Sequence, residues 1–94
     1  MNRALKEAKN ACLLLAKKYG VKKVVLFGSL VIGKYKRGSD IDLAVEGLKT
    51  ESYIEALVEV ERFTGMTFDI KLMEECKGFL RERITKEGKI LYEG

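Results

Sequence analysis

Histidine, proline, tryptophan and glutamine do not occur in the 94 residues. Without histidine there is no Ser-His or Cys-His nucleophile pair and none of the usual zinc sites. Any catalysis must then run on carboxylates and a metal ion. Missing proline and glutamine beside abundant lysine and glutamate fits a heat-adapted chain. Cysteine is scarce: Cys12 and Cys76 stand far apart in apolar helical patterns, with no CxxC spacing. They read as buried free thiols, not as a disulfide or metal pair. No apolar run approaches the roughly 18 residues of a membrane span. The start, Met1-Asn2-Arg3 followed by Lys6, Glu7 and Lys9, has no signal-peptide core, so the expected location is cytoplasmic.

What remains is ordinary in bulk. Charged residues make up 34% and apolar ones 47%, and the formal net charge of +4 does not by itself indicate nucleic-acid binding. The length predicts one domain, residues 1–94, near the small end of what a single core stabilises.

Periodicity divides the chain into alternating elements. Leu5, Ala8, Cys12, Leu15 and Tyr19 fall on one helical face that stops at Gly20. Residues 21–27 are β-branched and apolar and predict a buried strand ending at Gly28. Leu30-Val31-Ile32 predicts a short helix, and the segment from Lys34 to Ser39 an exposed basic loop. A second strand over 40–45 sets Asp40 and Asp42 on one face and Ile41, Leu43 and Val45 on the other. Ser52 and Glu55 resemble a capping box for a helix that carries Ile54, Leu57 and Val58 and stops near Gly65. Residues 67–72 predict a third strand with Phe68, Ile70 and Leu72 facing in and Asp69 facing out. A last helix over 75–87, with Phe79, Leu80 and Ile84 inward, precedes a short strand over 89–92.

The functional signal is a spacing. Ten residues separate Gly28-Ser29 from Asp40-Ile41-Asp42. Carboxylates at i and i+2 of a strand share a face and can share a cation. A Gly-Ser corner closing an earlier strand offers backbone amides and a hydroxyl, which suit a polyphosphate. Either part alone is ordinary: Gly-Ser is most often a turn and Asp-Ile-Asp a solvated strand face. At this joint spacing they point to nucleotide chemistry. Asp69 is a candidate third acid, and two Mg²⁺ ions held roughly 3.5–4 Å apart by shared carboxylates would activate an attacking hydroxyl and stabilise leaving pyrophosphate. Gly28 would let the backbone approach the phosphates, and Ser29 would add a donor. Lys34, Lys36 and Arg37 are candidate phosphate contacts from the loop.

Phe27-Gly28-Ser29, Gly33, Ser39-Asp40-Ile41-Asp42-Leu43, Phe68-Asp69-Ile70 and the closing Gly88-Lys89-Ile90-Leu91-Tyr92 resemble the minimal nucleotidyltransferases of the DNA polymerase β superfamily. The resemblance implies an α/β (α+β) fold, a small mixed sheet with helices packed on one side, like the polymerase β palm. It also implies Mg²⁺-dependent transfer of AMP from ATP, with Asp40, Asp42 and Asp69 as metal-binding catalytic residues. Many such proteins are encoded beside a HEPN-domain protein and act as the antitoxin that AMPylates a tyrosine of the toxin. The family commonly has arginines directly after Gly-Ser, where this chain has Leu30-Val31-Ile32. The competing expectation is therefore a nucleotide-binding module that neutralises a HEPN partner by binding alone. Transfer to a small molecule such as an aminoglycoside usually needs a further helical domain. No motif grips an extended nucleic acid or specifies which NTP is used, and exposed sheet edges make a homo-oligomer plausible.

Overall fold

The structure, a computed structural model, describes residues 3–94. Met1 and Asn2, where the N-terminal reading begins, lie outside the described residues. The elements are α1 (Arg3–Tyr19), β1 (Lys23–Phe27), β2 (Ile41–Glu46), α2 (Tyr53–Thr64), β3 (Phe68–Leu72), α3 (Gly78–Glu87) and β4 (Lys89–Glu93). Short 3₁₀ turns follow β1 (Gly28–Leu30), precede α2 (Thr50–Ser52) and follow β3 (Met73–Glu75). The strands form one mixed sheet in the order β3-β2-β1-β4, with β2 and β3 parallel and the other pairs antiparallel. No described helix is long and apolar enough to cross a membrane.

Strand alternation divides the apolar residues into two layers. Val24 and Leu26 of β1, Leu43 and Val45 of β2 and Ile70 of β3 pack against α1 and α2. The small residues Ala4, Ala8 and Ala11 on α1 and Ala56 on α2 belong to this layer, where their size lets the helices approach the sheet closely. Val25, Phe27 and Ala44 point the other way, onto Ile84 and Leu80 of α3 with Met73 and Cys76. The expected small mixed sheet is present. The placement of helices on one side holds for α1 and α2, whereas α3 covers part of the opposite face.

Several local expectations differ from the structure. The strand expected from Val21 begins at Lys23, and the one expected from Asp40 begins at Ile41, so Asp40 precedes the ladder. The short helix expected at Leu30-Val31-Ile32 is a 3₁₀ turn two residues earlier, over Gly28–Leu30. Ser52 has helical backbone angles and no side-chain cap bond, because the 3₁₀ turn before it already leads into α2, so the capping box does not form. The buried stripe of α2 is Ala56, Val60 and Thr64, while Ile54 and Val58 are exposed. Two faces of α2 carry apolar residues, and packing against α1 selects the one with the small side chain. Phe79 is 87% exposed, and α3 starts only at Gly78, so Cys76 lies in the connection before it. Gly20 and Gly65 stop α1 and α2 as expected, with φ of 65° and 71°. Both cysteines are free and buried.

The outer edge of β3 is partly capped by side chains. Ile41 N donates to Thr67 O at 3.0 Å, so the backbone groups of Phe68, Ile70 and Leu72 face outward. Phe68 N donates to Glu61 Oε2 (2.8 Å), Ile70 O accepts from the Tyr53 hydroxyl (2.6 Å) and Leu72 O accepts from Cys76 Sγ (3.3 Å). Such capping occupies part of the row of backbone groups that invites another strand.

Candidate functional site

The site lies at the end of the sheet face that α3 leaves open. Ala44, one step along this face from Asp42, is fully buried beneath the α3 layer, while Asp42 and Asp69 are half-buried and Asp40 is exposed. Asp42 and Asp69 are register partners on the parallel β2–β3 pair, so their side chains stand side by side on one face. Asp40 and Asp42, expected to share a strand face at i and i+2, are not both in the strand, because β2 begins at Ile41. Asp40 reaches the site from just outside the strand.

Gly28 meets this pair from β1. Its φ is 79°, and a Cβ there would fall 2.1 Å from Asp42 Oδ2 and 2.9 Å from its Cγ. Glycine is required twice over, by the left-handed backbone and by the carboxylate pressed against it. Val31 N and Ile32 N both donate to Gly28 O, at 3.1 and 3.2 Å. The turn thus leaves the amides of Ser29 and Leu30 as the donors that an anion could meet. Lys34 N donates to Ser29 O at 2.8 Å, which ties the root of the basic loop to the Gly-Ser corner. Lys36 N donates to Ser39 Oγ (3.2 Å) and Ser39 N to Lys36 O (2.9 Å). The side chains of Lys34, Lys36 and Arg37 are exposed, and among the described residues none is ion-paired with Asp40, Asp42 or Asp69.

The electrostatics single out Asp42. Burial holds its carboxyl above the usual carboxylate range, and the charges of Asp69 and Asp40 push it further up; Lys71 and Arg83 oppose this. Lys71 Nζ lies 3.5 Å from Asp69 Oδ2. Neither cation figured in the sequence reading. Lys71 was findable, since i+2 from Asp69 on a strand is the same face. Arg83 was not, because only tertiary packing brings α3 over β1 and β2.

An all-oxygen donor set under mutual repulsion is the kind of site a hard divalent cation relieves, so the residues fit Mg²⁺. Among the described residues, however, no three His, Cys, Asp or Glu side chains are gathered closely enough to form a finished metal cluster.

Cavities open on the surface among the described residues. One, of about 490 Å³, continues past Lys71 around the β3 edge, between Tyr53 and Ile54 on one side and Leu72 and Glu75 on the other. The second, of about 300 Å³, lies across α1 and α2 beside Leu13, Leu14 and Phe63, away from the acids.

Comparison with known proteins agrees with this geometry. The family described as polymerase beta, nucleotidyltransferase matches residues 10–94. A protein of Methanocaldococcus jannaschii that carries the provisional name protein adenylyltransferase is 30% identical over 69 residues, covering 73% of this chain and 53% of that protein. The chain thus spans about half the length of that relative. Among solved structures, a toxin–antitoxin crystal structure with AMP-PNP superposes with a TM-score of 0.78 at 23% identity, over 92% of this chain and 73% of the other. A chain from the complex of tri-AMPylated Shewanella oneidensis HEPN toxin with MNT antitoxin superposes with a TM-score of 0.68 at 22% identity, over 99% and 74%. At these identities the two structures speak for the fold.

Proposed function

This chain belongs to the polymerase beta nucleotidyltransferase family, and on that footing we propose that it moves AMP from ATP onto a tyrosine hydroxyl of a HEPN-type protein, acting as its antitoxin. The observation that carries the reading is the Asp42–Asp69 register pair, with Asp40 beside it and the Gly28 backbone pressed against Asp42. In this reading Asp40, Asp42 and Asp69 hold Mg²⁺, which, when bound, neutralises phosphate charge and lowers the pKa of the attacking hydroxyl. Gly28 and Ser29 receive the phosphates through backbone amides and the Ser29 hydroxyl. Lys34, Lys36 and Arg37, on a loop rooted at Ser29, meet the solvent-side phosphates. The acceptor hydroxyl gives up its proton to solvent, its oxygen bonds to the α-phosphorus, and the bond to the leaving pyrophosphate breaks. Such an in-line displacement depends on positioning and charge, so a chain without histidine can support it. The protein adenylyltransferase relative and the toxin–antitoxin superpositions favour a protein acceptor.

One observation favours a second reading. Leu30 and Val31, where the family commonly carries arginines, pack against the core and bring no charge to the phosphates. A chain so altered could neutralise its partner by occlusion alone. Incubation with ATP, Mg²⁺ and a HEPN-type partner protein separates the two. We expect AMP on a partner tyrosine by mass spectrometry, and none with Asp42→Asn. An unmodified, inactive partner that still co-purifies would establish occlusion instead.

A further inference from the structure

The cations so far assigned to the phosphates all sit at one pole of the site, on the loop rooted at Ser29. The other pole, at Asp69, is two strands away across the sheet, because β2 lies between β1 and β3. There the structure supplies a different cation. Lys71 lies two residues from Asp69 on β3, is the register partner of Ala44, and so shares the face that carries Asp42 and Asp69. Its ammonium is 3.5 Å from Asp69 Oδ2, with both side chains partly exposed. Among the described residues it is the one Lys or Arg ion-paired with any of the three acids.

We propose that Lys71 is the cation of the reacting end of the site. It neutralises Asp69 while no metal is bound, and it turns onto the phosphoryl oxygens of the nucleotide once a divalent cation takes that carboxylate. The proposal rests on the nucleotidyl-transfer reading and adds a residue to it.

The physics of the exchange is simple. A partly solvated ion pair is weak, so a divalent cation displaces it at little cost. The freed ammonium sits on a flexible stem beside the metal, with three donors and no carboxylate left to satisfy. Phosphoryl oxygens are the anions within reach when ATP is bound, and charge-assisted hydrogen bonds to them are among the stronger polar contacts. The position would also offset the charge missing from the Leu30-Val31-Ile32 turn.

An exchanging counter-ion makes a prediction that a structural ion pair does not. Lys71 repels a bare divalent cation and attracts a polyphosphate, so removing it should shift the two affinities in opposite directions. Mn²⁺ binding without nucleotide, followed by electron paramagnetic resonance, should tighten several-fold in Lys71→Met. Affinity for a fluorescent ATP analogue with Mg²⁺ should fall about tenfold, the scale of one charge-assisted contact. Lys71→Arg should stay near the unsubstituted protein in both assays. Melting curves should show the variants folded, since the residue is at the surface. If the unsubstituted protein binds the analogue and Lys71→Met binds it equally well, or if both affinities move the same way, the proposal is overturned and the transfer reading stands. If the unsubstituted protein shows no Mg²⁺-dependent binding, both fall together.

Discussion

Two residues show how function and stability pull against each other. Asp42 holds its proton more tightly in the folded chain than in the unfolded one, through burial and the charges of Asp69 and Asp40. The sign follows from linkage: the folded state binds the extra proton between the ordinary carboxylate pKa and the raised one, so stability falls as pH rises through that window. In metal-free buffer, Asp42→Asn should flatten this fall and melt at or above the temperature of the unsubstituted protein at neutral pH. A clear drop would mark Asp42 as structural. Gly28 should behave in the opposite way. Gly28→Ala forces a Cβ against the Asp42 carboxylate at a positive φ, and should cost about 2–4 kcal/mol by thermal or urea unfolding. Adding Asp42→Ala should recover the steric part and leave the backbone part, a non-additivity that a double-mutant cycle measures.

At the scale of elements, apolar patterning located helices and strands well but could not phase every helix. On α3 the inward candidates were Phe79, Leu80 and Ile84, and only Ile84 is fully buried. Ile84→Ala should therefore cost about 2–5 kcal/mol, whereas Phe79→Ser should stay within about 0.5 kcal/mol. Equal losses by chemical denaturation would contradict the α3 packing. The capped part of the β3 edge carries its own prediction. Glu61→Ala removes the acceptor of Phe68 N and should destabilise by about 1 kcal/mol. Ser52→Ala should do little, because no cap bond is made there.

For the molecule as a whole, the arrangement is a sheet covered fully on one face and partly on the other, with the acids where the second cover ends. The core is thus largely independent of the site, and ligand binding should add to its stability by mass action. Mg²⁺ with ATP should raise the melting temperature more than either alone, because a ligand specific for the native state stabilises it by RT ln(1 + [L]/Kd). Equal shifts in the unsubstituted protein and in an Asp40→Asn/Asp42→Asn double variant would remove these acids from the site. With side chains capping part of the β3 edge, β4 is the more open edge of the sheet, so self-association through strands, if the isolated chain shows it on a sizing column, should be more sensitive to substitutions in β4 than in β3.

By itself the sequence determined the element order, the glycine stops of α1 and α2, the burial of both cysteines and the outward alternation of Asp42 within its strand and of Asp69 within its own; the pairing that sets the two side by side is tertiary. These follow from local rules, namely periods of 2 and 3.6, left-handed glycine and the scarcity of thiols, which need no partner to operate. Tertiary structure alone decided which face of α2 is buried, where α3 lies and that Arg83 acts on Asp42. It also made Gly28 obligatory through a carboxylate fourteen residues away rather than through phosphate alone. In each of these cases the deciding contact joins residues distant in sequence, where size and charge complementarity across the sheet choose between options that local patterning leaves equivalent.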